Sequence, residues 1–115
     1  MEETEKTAAA VCGCEAGDDA RRAAGVDPEI KTANLHRLRR IEGQVRGLQK
    51  MVEEDRYCPD IITQVASVQE ALRGVARQLL RNHLKHCATK AIASGPEQAD
   101  AMYDELLDVV YRHLR

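Results

Sequence analysis

The chain has very few of the large aromatic residues that fill protein cores: its 115 residues include no tryptophan, no phenylalanine and only three tyrosines. So few large side chains leave a single copy under-packed. Only three prolines interrupt a composition rich in alanine, leucine, arginine and glutamate, which favours helices. We therefore expect an all-helical protein that completes its core by forming a homo-oligomer.

Long apolar runs are also missing from the sequence. None approaches the roughly 20 residues that a membrane-spanning helix needs, and no basic segment followed by an apolar one marks a secretion signal near the first residue. We expect a cytoplasmic protein with no membrane partner. Since thiols stay reduced there, the four cysteines are read as metal ligands or redox sensors before structural disulfides.

The apolar pattern divides the chain into a leader and a helical domain. Residues 1–30 are acidic, lack apolar periodicity and contain turn-forming dipeptides, so they are predicted to be a disordered leader. Residues 31–115 form the predicted domain. Its first helix runs from Lys31 to about Glu54, with apolar residues every three or four positions: Leu35, Leu38, Ile41, Val45, Leu48 and Val52.

A second and a third helix follow a short polar break at residues 55–57. Cys58 is predicted to cap the second helix, because Pro59 suits the first helical position and an acidic residue suits the first turn. This helix is expected to continue for roughly 33 residues, or about 50 Å, to Ala93. Ser94, Gly95 and Pro96 end it, and a third helix carries an apolar face that extends to Leu114.

Three metal-competent side chains, Cys58, His83 and Cys87, are the strongest functional signal. His83 and Cys87 are one helical turn apart on one face, which is how a helix offers two ligands to one ion. Cys58 begins the same predicted helix, roughly 37 Å from His83. One ion can therefore be shared only if a second protomer supplies an antiparallel helix, which creates two identical sites by two-fold symmetry.

Two thiolates and one imidazole form a soft, three-ligand set that favours Cu(I), because Zn(II) usually takes a fourth ligand. His86 has two interpretations: it is a fourth ligand of the metal, or it lies outside the ligand set, behind the ligands or in solvent. Taken singly, Cys87 is typical of a buried core cysteine and His83 of a hydrogen-bonded core histidine. The Cys12-Gly13-Cys14 pair is interpreted as incidental to the main site.

Positive charge is concentrated on the first two predicted helices. Residues 31–52 hold six basic residues against one acidic, and residues 61–90 hold five against one. An ordinary solvated face is one interpretation; the other is contact with nucleic-acid phosphates, which the sequence does not assign to DNA or RNA. The candidate contacts are Arg37, Arg39, Arg46, Lys50, Arg73, Arg77, Arg81 and Lys85.

Together these motifs resemble the copper-sensing CsoR family within the CsoR/RcnR class of bacterial repressors. The resemblance spans about Leu35 to Leu114 and is carried by RRIEGQVRGLQKM in the first helix, by Tyr57-Cys58 and by NHLKHC at residues 82–87. Sister branches sense nickel or cobalt, formaldehyde or persulfides and differ at the ligand positions. Because His83 and Cys87 are both present, the copper branch fits best.

The resemblance implies a fold, a function and further site residues. The fold is a three-helix protomer, an antiparallel four-helix-bundle dimer core and a dimer of dimers. Cys58, His83 and Cys87 resemble the Cu(I) ligands. Tyr57 and Glu105 resemble the family residues that hydrogen-bond toward the ligand histidine without binding the metal. Asp104 is the alternative to Glu105 if the loop after Cys87 differs in length from that of other members. The metal-free tetramer would bind operator DNA and release it on binding Cu(I).

Other function classes remain as alternatives. One is a thiol-redox, persulfide or electrophile sensor of the same family, in which Cys58 and Cys87 react instead of binding metal. Another is a copper-buffering helical bundle without a DNA partner. An enzyme is not expected, because Cys58 and His83 would meet only across chains and no oxyanion-type loop is suggested.

Overall fold

A computed structural model of the chain describes residues 21–113, and within them all regular structure is helical. Its elements are α1 (Pro28–Glu53), α2 (Cys58–Asn82), a π-helical turn (His83–Ala88), α3 (Thr89–Ala93) and α4 (Pro96–His113). The expected all-α, three-helix protomer is confirmed, with the second of the three helices interrupted. Cys12, Cys14 and Leu114, and the predictions made for them, lie outside the described residues.

Helix α1 begins at Pro28, three residues before the predicted start and inside the segment expected to be a leader. The reason is local. The Asp27 side chain accepts a hydrogen bond from the Glu29 backbone N–H at 3.1 Å, and Pro28 occupies the first helical position. An Asp cap followed by Pro is a strong start signal, but it precedes the apolar periodicity on which the prediction depended.

The end of α1 is fixed by backbone hydrogen bonds that pair its last carbonyls. Arg56 N–H donates to the Met51 carbonyl at 3.0 Å and Asp55 N–H donates to Val52 at 3.1 Å, the two bonds of a Schellman motif. Asp55 has a φ of 55°, in the left-handed region where glycine is usual. The chain thereby reverses direction within residues 54–57.

Helix α2 packs back along α1. The Tyr57 carbonyl accepts the first hydrogen bonds of α2, from Asp60 and Ile61 at 3.0 and 3.3 Å, so Tyr57 occupies the cap position that was wrongly predicted for Cys58. Cys58 is the first helical residue. The two helices enclose a small core of Ile41, Val68 and Val75, bordered by Leu48 and Ala71.

Residues 26–82, which contain α1 and α2, form one compact unit. Its core is thin, and no side chain among the described residues is completely buried. Much of the apolar pattern of both helices stays exposed: Leu35, Leu38, Val45, Val52, Val65, Leu72 and Leu79. An exposed apolar surface of this kind is typical of an interaction site.

The remaining described residues form a second compact unit, in which α4 packs on α3. Met102 contacts the buried Cys87 and Ala88, with Ala91 and Leu106 at the edge of this cluster. Gly95, with a φ of 133°, connects α3 to α4 as the Ser-Gly-Pro stop signal predicted. None of the helices formed by residues 21–113 has the length and apolarity needed to cross a membrane.

Candidate metal centre

The residues that the sequence singled out as NHLKHC do not continue α2 as a regular α-helix. From His83 to Ala88 the backbone is a π-helix, and the side chains show the change in register. The Thr63 and Ser94 hydroxyls donate to carbonyls four residues back, at 2.9 and 2.8 Å, whereas Thr89 donates to Leu84, five residues back, at 3.0 Å. Single π turns occur frequently at functional sites.

His83, the first residue of the π-helical turn, faces a carboxylate from α4. Its Nε2 lies 3.0 Å from Glu105 Oε2, and the two side chains are only 23% and 15% exposed. The ring N–H is not aligned with the carboxylate, so Nε2 has no hydrogen-bond partner of good geometry among the described residues. Asp104, the alternative to Glu105, is exposed.

Cys87 lies four residues further along the turn and is 5% exposed. Its sulfur accepts a hydrogen bond from the Ala24 backbone N–H at 3.3 Å. Ala24 belongs to the segment before α1, which the sequence analysis had excluded from the fold. The wall behind Cys87 is apolar, formed by Ala88 and Met102.

His86 is half-buried beside the same N-terminal segment. Gly25 packs so closely on its ring that a side chain at position 25 would begin 2.7 Å from His86 Nδ1. The other ring nitrogen, Nε2, is buried without a partner among the described residues. Sequence reasoning missed the roles of Ala24 and Gly25, because a backbone amide and a glycine in an acidic segment carry no ligand signal.

Cys58 and Tyr57 belong to the other compact unit. Both are exposed, Tyr57 to 71%, at the N-terminal end of α2. Along the described part of one chain, no three His, Cys, Asp or Glu side chains come together in a way that could hold a metal ion. Among the described residues of one chain, the structure therefore places Glu105 beside His83 but brings no three metal-binding side chains together at one ion.

The predicted nucleic-acid contacts remain accessible. Arg37 is half-buried and lies across Gly74, with Nη1 3.0 Å from the position a side chain there would take. The other seven, Arg39, Arg46, Lys50, Arg73, Arg77, Arg81 and Lys85, are exposed. Three of them face an acid three or four residues away in the chain: Arg46 with Glu42 at 3.5 Å, Lys50 with Glu54 at 3.7 Å and Arg73 with Glu70 at 3.9 Å. Exposed pairs of this kind contribute little stability and exchange readily for other anions.

Comparison with known proteins identifies the family. The profile described as metal-sensitive transcriptional repressor matches residues 30–112. The chain belongs to the metal-sensitive transcriptional repressor family. Similar members include the copper-sensing transcriptional repressor RicR of Mycobacterium tuberculosis, 51% identical over 69% of this chain and 82% of that protein. The copper-sensing transcriptional repressor CsoR of Bacillus subtilis is 57% identical over 64% of this chain and 71% of its own length.

Solved structures of family members have the same fold. The copper-sensing repressor CsoR with Cu(I) from Geobacillus thermodenitrificans NG80-2 superposes with a TM-score of 0.68 at 42% identity, covering 82% of this chain and 98% of that one. A variant of the formaldehyde-responsive regulator FrmR from Salmonella enterica serovar Typhimurium gives 0.60 at 32% identity, over 76% and 98%. The family-level resemblance inferred from the sequence is therefore confirmed.

The site residues of this metal-sensitive repressor fit a soft metal ion. A metal-bound histidine usually binds through one ring nitrogen while the other faces a carboxylate or carbonyl. His83 already has Nε2 beside Glu105, which leaves Nδ1 for a ligand. The buried Cys87 sulfur, with a backbone N–H directed at it, is a soft donor atom of the kind that soft metal ions bind.

Proposed function

We propose that this family member is a Cu(I)-responsive repressor, in which Cys58 of one protomer and His83 and Cys87 of another hold the metal. The observation that carries the proposal is the preorganised pair on the π-helical turn. Cys87 is buried and hydrogen-bonded, and His83 has a carboxylate 3.0 Å behind one nitrogen. Copper-sensing relatives with 51% and 57% identity, and a related structure containing Cu(I), support the choice of metal.

The metal type follows from the donor atoms. Two cysteine sulfurs and one imidazole nitrogen make a soft ligand set, and Cu(I), when bound, supplies a closed-shell cation that three such ligands satisfy. Cys58 brings the missing sulfur. Helix α2 is 25 residues long and holds Cys58 and Asn82 at its two ends, which places them roughly 36 Å apart along the axis, and His83 follows Asn82 in the chain. This separation supports a ligand set shared between protomers.

The proposed assembly is an antiparallel four-helix-bundle dimer, and two such dimers form a tetramer. The apolar side chains that α1 and α2 leave exposed, such as Leu72 and Leu79, supply the surface that a second copy covers. In a two-fold dimer each chain then contributes Cys58 to one site and His83 with Cys87 to the other. We further propose that the protein acts in the cytoplasm without a catalytic role.

Glu105 and Tyr57 are proposed to transmit the state of the site. In the described chain the His83 ring is near Glu105 but is not aligned with it. A metal held through the other ring nitrogen would fix the ring, and the Nε2 N–H would then donate to the Glu105 carboxylate on α4. Tyr57, next to the ligand Cys58, is proposed to reach the same histidine from the partner chain.

DNA binding is assigned to the arginines and lysines of α1, α2 and the π-helical turn, from Arg37 to Lys85. These groups bind phosphates, and an operator would be recognised mainly through its backbone and shape. The metal-free protein binds operator DNA in this proposal, and Cu(I) weakens the complex. Coupling free energies between sites are usually about 1–3 kcal/mol, which predicts about 5- to 150-fold weaker binding.

The test is operator binding with and without one equivalent of Cu(I), measured by fluorescence anisotropy under anaerobic conditions. Wild type should release DNA on addition of Cu(I), and His83→Ala should stay bound. His113→Ala, the same change at an exposed residue at the end of α4, is the matched control and should behave as wild type. An operator affinity that ignores Cu(I) in wild type would contradict the proposal.

A thiol-based sensor is the second candidate, and the exposure of Cys58 favours it. In that case Cys58 and Cys87 of two chains would react with an oxidant or persulfide donor, and His83 would be dispensable. The His83→Ala variant separates the two functions: it loses the response in a copper sensor and keeps it in a thiol sensor.

A further inference from the structure

The segment before α1 reaches the proposed metal centre, although it contains none of the proposed ligands. Ala24 N–H donates to Cys87 Sγ at 3.3 Å, and Gly25 lies against the His86 ring. Three residues after Ala24, the Asp27 N–H donates to the buried Asn82 side chain at 2.8 Å. Residues 24–27, which we call the N-terminal arm, are thus hydrogen-bonded to two residues. One is Cys87 in the π-helical turn, and the other is Asn82, the last residue before that turn.

We infer that this arm is a functional part of the metal centre and sets its Cu(I) affinity through the Ala24 amide. The inference rests on the proposed function. The Cys87 sulfur is buried against apolar side chains, where a sulfur that carries negative charge as a metal ligand needs a hydrogen-bond donor. A backbone N–H directed at the sulfur supplies that donor, and hydrogen bonds to ionised acceptors are the stronger kind.

Gly25 is the residue that allows the arm to lie so close. A side chain at this position would begin 2.7 Å from His86 Nδ1 and 3.3 Å from His86 Cβ, and the Cβ atom of His86 cannot move away without moving the turn that carries Cys87. Any larger residue must therefore displace the arm. Displacement would lengthen or break the bond from Ala24 to the sulfur, since the two residues are adjacent.

The first experiment removes the backbone N–H of Ala24. Ala24→Pro has no N–H to donate, whereas Ala24→Ser keeps it; Ala23→Pro places the same ring one residue earlier, at an exposed residue. Loss of a group that supports a metal ligand typically costs 10- to 100-fold in affinity. Cu(I) affinity, measured by competition with a chromophoric chelator, should fall at least about tenfold for Ala24→Pro and stay unchanged for both controls.

The second experiment is a double-mutant cycle. Gly25→Ala should weaken Cu(I) binding in the wild-type background. In a His86→Ala background the ring that the new methyl group strikes is gone, so the same change should have little further effect. Additive effects of the two substitutions would show that Gly25 acts by another route and would overturn this part of the inference.

A third measurement needs no metal. In the metal-free protein, NMR hydrogen exchange at the Ala24 amide should be slow, become fast in Cys87→Ala and remain slow in Cys58→Ala. Fast exchange in wild type, or wild-type Cu(I) affinity in Ala24→Pro, would overturn the inference while leaving the proposed function intact. A wild-type protein that fails to bind Cu(I) would overturn the proposed function, and the exchange measurement would still decide whether the arm holds Cys87.

Discussion

Replacing Glu105 by glutamine tests the link between the metal centre and α4. The change keeps the size of the side chain and removes the negative charge that lies 3.0 Å from His83 Nε2. Both side chains are more than three-quarters buried, so water screens the interaction only partly. Hydrogen bonds to charged groups contribute about 1.5–3 kcal/mol, and glutamine retains a neutral acceptor oxygen that recovers part of this.

The expected loss is therefore near the lower end of that range. About 1.4 kcal/mol corresponds to a tenfold change in an equilibrium constant, so Cu(I) affinity in Glu105→Gln should fall about tenfold. If Glu105 also transmits the signal, the factor by which Cu(I) weakens operator binding should shrink in protein saturated with copper. Chelator competition gives the first quantity and anisotropy titration at saturating Cu(I) gives the second.

Asp104→Asn is the matched control, because it removes one negative charge from the adjacent, exposed residue of the same helix. It should leave both quantities near the wild-type values. Equal behaviour of the two variants would refute the reasoning, since the effect would then depend on the net charge of α4 and not on contact with His83. A stronger effect of Asp104→Asn would mean that the carboxylate next to the histidine is wrongly assigned.

Three further predictions concern the basic residues proposed to bind DNA, the connection between α1 and α2, and the assembly of the oligomer. Arg77→Ala and Arg81→Ala should each weaken operator binding and reduce the slope of log affinity against log salt by about one, whereas Arg112→Ala, whose side chain pairs with Asp108 on α4 at 3.4 Å, should leave the slope unchanged. Asp55→Gly should raise the free energy of unfolding by about 0.5–1 kcal/mol because glycine relieves the φ of 55°; a lower melting point than that of Asp55→Ala would contradict this. Leu72→Glu should dissociate the oligomer in analytical ultracentrifugation, because Leu72 is one of the exposed apolar residues of α2. Ser67→Glu, on the opposite face of α2, should leave the oligomer intact.

Helix positions were predictable from the sequence where periodicity and stop signals coincide. The polar break at residues 55–57 and the Ser94-Gly95-Pro96 stop lie where the sequence predicted them. The start of α1 was placed too late, because capping by Asp27 precedes the first apolar repeat. Cys58 was assigned the cap that Tyr57 fills with its backbone carbonyl, an atom that every residue has and that no side-chain pattern reveals.

For the candidate metal centre, the sequence predicted side chains such as Glu105, but not the backbone geometry around them. Glu105 was suggested by resemblance, and the structure places it beside His83. The π-helical turn was not predicted, since no residue type specifies one additional residue in a helical turn. The contacts of Ala24 and Gly25 with Cys87 and His86 were missed for a related reason: they depend on a backbone amide and on the absence of a side chain.

The central claim is that each copper site takes Cys58 from one chain and His83 with Cys87 from another, and a complementation experiment tests it most directly. Cys58→Ser and the double variant His83→Ala/Cys87→Ser are produced with different tags, and the heterodimer is purified through both. Neither variant alone should bind Cu(I) tightly, whereas the heterodimer contains one intact site and should bind about half as much as wild type. A heterodimer that binds no more copper than its parents would contradict the shared site.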